Sequence, residues 1–229
     1  CWRQSSPCIT AGMTSGASPA TIWSLAFVAE LVDKGVQDIV VSPGSRSQAL
    51  ALAADALAQQ EEVVLRVHVC IDERTAGFFG LGLAVESGRP TALLCTSGSA
   101  PAHYFPALLE AKHSGIPLIA LTADRPEELR GLGANQTTRQ SRMFGEAVHE
   151  SFDVAAPRET EGLTQSAHAY ARQAMRLAQV GGVRGRPGPI HINIAFREPL
   201  SSPMAPEQLG AVRNAVDSAS QELTSPDPP

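Results

Sequence analysis

Apolar positions fall into short strand-period blocks that alternate with longer helix-period blocks. Ser18-Pro19 opens an amphipathic helix through Leu31, with proline in the first turn, where no amide hydrogen is needed, and Gly35 closes it. Asp38–Val41 is a short β-branched run leading into Ser42-Pro43-Gly44-Ser45, and a helix from about Ser47 to Gln59 follows. Val63–Ile71 is the second strand, and Asp72-Glu73 starts a helix that runs to Glu86. Thr91–Cys95 is the third strand, followed by the loop Thr96-Ser97-Gly98-Ser99 and a helix to His113. Pro117–Thr122 is the fourth strand, ending in Ala123-Asp124-Arg125-Pro126. Beyond a ragged stretch with Asn135, Gln136 and Arg139, Val148–Val154 reads as a fifth strand. Thr160–Gln179 is a long helix with apolar spacing at Leu163, Ala167, Tyr170, Ala171, Ala174 and Ala178, and His191–Ile194 lies in a last buried strand.

Short apolar strands separated by helices are βαβ units, so the fold expected is α/β, a doubly wound, mainly parallel sheet flanked by helices. In such sheets ligands sit beyond the carboxyl ends of the strands. Four loops gather there: Ser42–Arg46, Asp72-Glu73, Thr96–Ser99 and Asp124–Arg125. Residues 1–18 are rich in Ser and Gly without periodicity and read as a disordered leader. Residues 201–229, with their prolines, read as a linker-like tail with room for a short helix at Pro206–Val216.

Composition narrows the classes. Hydrophobic residues make up 43% of the 229, charged residues 18% and aromatics 5%, which argues for a packed core and against a stacking platform for single-stranded nucleic acid. The net charge of −5 gives no phosphate-backbone footprint, so nucleic acid is not an expected partner. The four cysteines lack CxxC spacing and fit reduced thiols, with Cys70 and Cys95 expected to be buried at the ends of apolar runs. No run is long enough to span a membrane, and a cytoplasmic protein is expected. Position 1 is not methionine, and Met13 is a candidate start, so the sequence reads as a translated fragment.

Each candidate loop has two readings. Ser42-Pro43-Gly44-Ser45-Arg46-Ser47 offers backbone N–H groups and an arginine fork to an anion, or it is a helix start capped by Ser45 or Ser47. Asp72 caps a helix, and Glu73 either serves the positive first turn or stands as a sheltered carboxyl that shares a proton with a ligand ring nitrogen. Gly77-Phe78-Phe79-Gly80-Leu81-Gly82 follows a helix start rather than a strand, so close packing explains it better than dinucleotide binding. Ser97-Gly98-Ser99 is followed by Ala100-Pro101 and is no nucleophile elbow. The scattered histidines include no HExxH, and no metal ligands are assigned within this chain.

Taken together, the loops resemble a known family. Ser42–Ser47, Ile71–Phe79, Thr96–Ala100, Leu121–Pro126, Gly133-Ala134-Asn135-Gln136 and His191–Leu200 occur in this order. Over about residues 20–200 the chain resembles the N-terminal pyrimidine-binding domain of the menaquinone-pathway SEPHCHC synthase (MenD) family. The resemblance implies the thiamine-diphosphate-binding fold, with the pyrimidine domain over 19–200 and the diphosphate-binding domain absent.

It also implies a chemistry. The family uses thiamine diphosphate and Mg²⁺, decarboxylates 2-oxoglutarate and adds the four-carbon unit to isochorismate. Glu73 matches the catalytic glutamate that bonds the aminopyrimidine ring nitrogen and favours the tautomer that accepts the thiazolium C2 proton. Thr96, Ser97 and Gly98 match the loop beside the aminopyrimidine. Ser45, Arg46, Arg125, Asn135 and Gln136 match positions on the isochorismate side, where arginine suits carboxylate recognition. The family's site forms between two subunits, so a homodimer or higher homo-oligomer is implied. The Gly-Asp-Gly that holds diphosphate and Mg²⁺ is absent, so the chain alone is expected to be inactive. An acetolactate-synthase-like carboligase and a non-catalytic binding module remain alternatives.

Overall fold

The computed structural model describes residues 16–181 and 185–203. The leader through residue 15, with Cys1, Cys8 and Met13, and the tail from residue 204, with the helix expected at Pro206–Val216, lie outside the described residues.

The elements in chain order are α1 (Pro19–Asp33), β1 (Asp38–Val41), α2 (Gln48–Ala58), β2 (Arg66–Val69), α3 (Glu73–Ser87), β3 (Thr91–Cys95), α4 (Phe105–Ser114), β4 (Leu118–Asp124), β5 (Ser151–Val154), α5 (Leu163–Val180) and β6 (Ile190–Ala195). The strands form one six-stranded sheet in the order β2-β1-β3-β4-β6-β5, and every neighbouring pair is parallel.

Strand alternation decides which core each side chain enters. Ile39, Val41, Ala92, Leu94, Ile119, Leu121, Ile190, Ile192 and Ile194 join the apolar faces of α1, α2 and α5. Val40, Leu93, Cys95, Leu118 and Ala120 face the other way and meet α3, α4 and Tyr104. Helices cover both faces, the doubly wound arrangement expected of βαβ units.

Three expectations are corrected. Helix α1 is not amphipathic: every residue from Ala20 to Leu31 is buried, because α2 and α5 flank it. Glu30, fully enclosed there, is met by His168 at 2.8 Å, Arg172 at 3.4 Å and Lys34 at 3.7 Å. The second strand is shorter than Val63–Ile71, because β1 supplies only four partners from Asp38↔Arg66 to Val41↔Val69 and β2 is an edge strand. Ile71 beyond it is 85% exposed, and Cys70 is half-buried, unlike the fully buried Cys95. Asp124 belongs to β4 rather than to a loop, because β6 continues the pairing to Asp124↔Ala195, and its side chain is fully buried.

The order of winding positions the site. From β1 the chain steps outward to β2, then returns to place β3 on the opposite side of β1. The carboxyl ends of β1 and β3 therefore flank the switch point, the place where parallel α/β sheets commonly bind ligands.

Candidate functional site

The loops after β1 and β3 meet at this switch point. Ser42 N–H donates to the Leu94 carbonyl at 2.8 Å, which ties the first loop to β3. Gly44 lies directly against Thr96: a Cβ on Gly44 would fall 2.6 Å from Thr96 Cγ2 and 2.7 Å from its Oγ1. Gly44 has φ −176°, an ordinary extended value, so the glycine is required by space and not by backbone freedom. Ser45–Ser47 form a 3₁₀ turn before α2, and neither serine caps through its side chain; the Ser47 hydroxyl instead donates to the Gly44 carbonyl. The helix-cap reading of these serines is thus not realised.

Glu73 is the first residue of α3. Asp72 is its N-cap, accepting from Thr75 N at 2.8 Å and Thr75 Oγ1 at 2.7 Å, and this fixes where Glu73 leaves the helix. Glu73 is half-buried. Beneath it Cys95 and Tyr104 are fully buried; burial pushes both groups up, and the Glu73 carboxylate adds to the rise of each. The Tyr104 hydroxyl faces Ser42 and Cys95 without a well-aligned hydrogen bond, and the buried Ser42 hydroxyl is likewise unpaired. The floor behind Glu73 is therefore apolar and tightly packed, with polar atoms still able to bond.

The loop after β3 is knitted to the stretch after β4. Ser97 Oγ donates to the Gln136 carbonyl at 3.1 Å, and Gln136 Nε2 returns a bond to the Ser97 carbonyl at 3.1 Å. Arg125 Nη1 donates to the same Gln136 carbonyl at 2.8 Å and to Ser97 Oγ. Gly98 has φ +92° and packs on Gln136, whose own φ is +54°. Thr96, Ser97 and Gly98 are buried, while Asn135 and Gln136 are exposed.

Arg46 reaches the same region from the other side. Its Nη1 donates to the Phe196 carbonyl at 2.9 Å and lies 3.6 Å from Glu198, while its buried Nε is unpaired. Burial and the Arg125 guanidinium both lower its proton affinity. Arg46 thus keeps one unmatched donor beside Arg125, a group of the kind that suits a planar anion.

The structure thus brings Arg46, Arg125, Gln136 and Ser97 into one neighbourhood, with Thr96 packed on Gly44 and Ser45 at the start of the turn. Asn135 is exposed, and its carbonyl accepts from Thr137 Oγ1 at 3.1 Å. Sequence reasoning placed Asp124 in a loop and gave no role to Gln140 or Asn193, and all three are buried polar residues behind these loops.

These features agree with what comparison with known proteins finds. Residues 24–144, just over half of the chain, match the family described as thiamine pyrophosphate enzyme, N-terminal TPP binding domain. The chain belongs to this family. Among curated proteins it is 51% identical over 189 residues to a 2-succinyl-5-enolpyruvyl-6-hydroxy-3-cyclohexene-1-carboxylate synthase of Leifsonia xyli, covering 82% of this chain and 31% of that protein. It is 53% identical over 185 residues to the protein of the same name from Clavibacter michiganensis, covering 80% and 30%. The one from Listeria monocytogenes is 44% identical over 199 residues, covering 87% and 33%. The chain therefore spans about a third of the length of these relatives. The description of the matched family names this domain as one that binds thiamine pyrophosphate. A half-buried carboxyl over an apolar floor, an unpaired Ser42 hydroxyl and the close Gly44–Thr96 approach fit a flat aminopyrimidine. Among the described residues no helix is long and apolar enough to cross a membrane.

Proposed function

We propose that this chain is the pyrimidine-binding part of a cytoplasmic SEPHCHC synthase, which decarboxylates 2-oxoglutarate and joins the remaining four carbons to isochorismate. Thiamine diphosphate, when bound, supplies the electron sink for loss of CO₂. Glu73 holds and exchanges a proton with the aminopyrimidine ring nitrogen, and its half-buried setting keeps that proton from bulk water. The Thr96–Gly98 backbone borders the ring. Arg46 and Arg125 bind isochorismate carboxylate, with Ser45, Asn135 and Gln136 around them. Mg²⁺, the diphosphate and the far end of 2-oxoglutarate are held by residues outside this segment, and a second copy completes the site in a homodimer or higher homo-oligomer.

The observation that carries this reading is that Arg46, with its buried Nε unmatched, and Arg125, bonded into the Ser97–Gln136 knot, share one neighbourhood. A small monocarboxylate acceptor such as pyruvate needs no pair of guanidinium groups at this position, whereas isochorismate presents two carboxylates for bidentate recognition. The test is to assay the complete enzyme with 2-oxoglutarate plus isochorismate and, separately, with pyruvate as both donor and acceptor. Product from isochorismate alone supports the reading; acetolactate from pyruvate overturns it in favour of an acetolactate-synthase-like carboligase.

A further inference from the structure

Gln140 is 1% exposed, and no part of the function above uses it. Its carboxamide is saturated. Oε1 accepts from Gly98 N–H at 2.8 Å, while Nε2 donates to the Ala123 carbonyl at 3.0 Å and to Asn193 Oδ1 at 2.9 Å. These partners fix the orientation of the amide, because a flipped group would set a donor against Gly98 N–H and an acceptor against two oxygens.

Asn193 is fully matched as well. Its Oδ1 also accepts from Thr122 Oγ1 at 2.8 Å, and its Nδ2 donates to Asp124 Oδ2 at 2.9 Å and to Asp153 Oδ1 at 2.7 Å. Asp124 Oδ1 in turn accepts from Arg125 N–H at 2.7 Å. A continuous relay therefore runs from the backbone of Gly98, through Gln140, Asn193 and Asp124, to the backbone of Arg125. Buried networks of this kind specify one arrangement when every member is paired, and a missing member leaves several polar groups unsatisfied.

Resting on the functional reading above, we propose that Gln140 is a positioning residue that sets the Thr96–Gly98 loop and Arg125 in one fixed relation, and so determines affinity for the dicarboxylate acceptor. Gly98 is held at a positive φ and has no side chain to anchor it; the Gln140 carboxamide anchors it through the backbone. Arg125 receives the same restraint from Asp124.

The test uses the complete synthase carrying Gln140→Leu, which keeps side-chain bulk and removes the bonds. Amide hydrogen exchange is followed by mass spectrometry together with KM for isochorismate and for 2-oxoglutarate. Exchange at Gly98 should rise at least about tenfold while the β3 and β4 amides stay protected, and KM for isochorismate should rise about tenfold with that for 2-oxoglutarate held within about twofold. Unchanged exchange at Gly98 overturns the proposal, as does faster exchange across the whole sheet or an equal rise in both KM values. If Gln140→Leu does not fold, Gln140→Glu retains the acceptor for Gly98 and breaks the links to Ala123 and Asn193. It should raise KM for isochorismate while exchange at Gly98 stays slow, and an unchanged KM for isochorismate overturns the proposal. If the wild-type enzyme ignores isochorismate, the functional reading fails, and exchange at Gly98 alone then decides the role of Gln140.

Discussion

Gly44 and Thr96 touch across the switch point so closely that no side chain fits between them. The overlap begins at Thr96 Cβ, so it persists with any residue there except glycine. Gly44→Ala should therefore destabilise the fold by about 1–3 kcal/mol, as overpacking does elsewhere. Adding Thr96→Ala should not restore the loss, whereas adding Thr96→Gly should restore part of it. Chemical denaturation of the three variants checks this, and rescue by Thr96→Ala would show that the contact lies elsewhere.

The proposed function has Arg46 and Arg125, whose like charges oppose each other, cooperate on a carboxylate. Removing one charge should therefore act in different directions on folding and on binding. Arg46→Gln should weaken isochorismate binding roughly tenfold to a hundredfold, the range for a lost charge-assisted hydrogen bond. The thermal midpoint of the protein without substrate should not fall, because removing a buried charge and its repulsion from Arg125 outweighs the lost bond to the Phe196 carbonyl and the contact with Glu198. Calorimetric titration and a thermal melt on the same sample test both halves.

His191 supplies a pH dependence. It is fully buried in β6, where burial lowers its pKa from 6.5 to about 4 and Asp153 only partly opposes this. Thr122 Oγ1 gives its proton to Asn193, so His191 Nε2 donates to Thr122 and Nδ1 accepts from the Ser151 hydroxyl. The native state thus holds the neutral ring, while the unfolded chain binds a proton below pH 6.5. Stability is full above pH 6.5 and falls as pH drops toward 4, by roughly 3 kcal/mol over that window. Burial raises Asp124, which works in the opposite direction lower in the range. His191→Asn should flatten the slope between pH 6.5 and 4 in denaturant titrations; an unchanged slope would place the titrating group elsewhere.

The α/β class and most elements were legible because strand-period and helix-period runs are well separated by glycine and proline. The β1 boundaries at Asp38–Val41 and the β3 boundaries at Thr91–Cys95 follow directly from where the apolar runs stop. Edge and centre were not legible. Val63–Ile71 carries enough apolar residues for a longer strand, but only the four residues of β1 are there to pair with it. Helix α1 shows the same limit, since its burial on all sides comes from α5, which is distant in sequence. At the site, Arg46, Arg125 and Gln136 could be named from their motifs, but the bonds that join Gln136 to Ser97 cross 39 positions and depend on how the sheet is wound. Gln140 and Asn193 gave no local signal, because a single buried amide looks like any surface amide until its partners are in place.

The central claim is that Glu73 controls a proton on the cofactor ring. The most direct measurement is deuterium exchange at C2 of thiamine diphosphate bound to the complete enzyme, followed by NMR after rapid acid quench, in wild type and Glu73→Gln. The variant keeps the Asp72 cap and the α3 start, so it should fold and bind the cofactor. The account predicts that its exchange slows roughly a hundredfold or more. Exchange as fast as in the wild type, with the cofactor still bound, would contradict it.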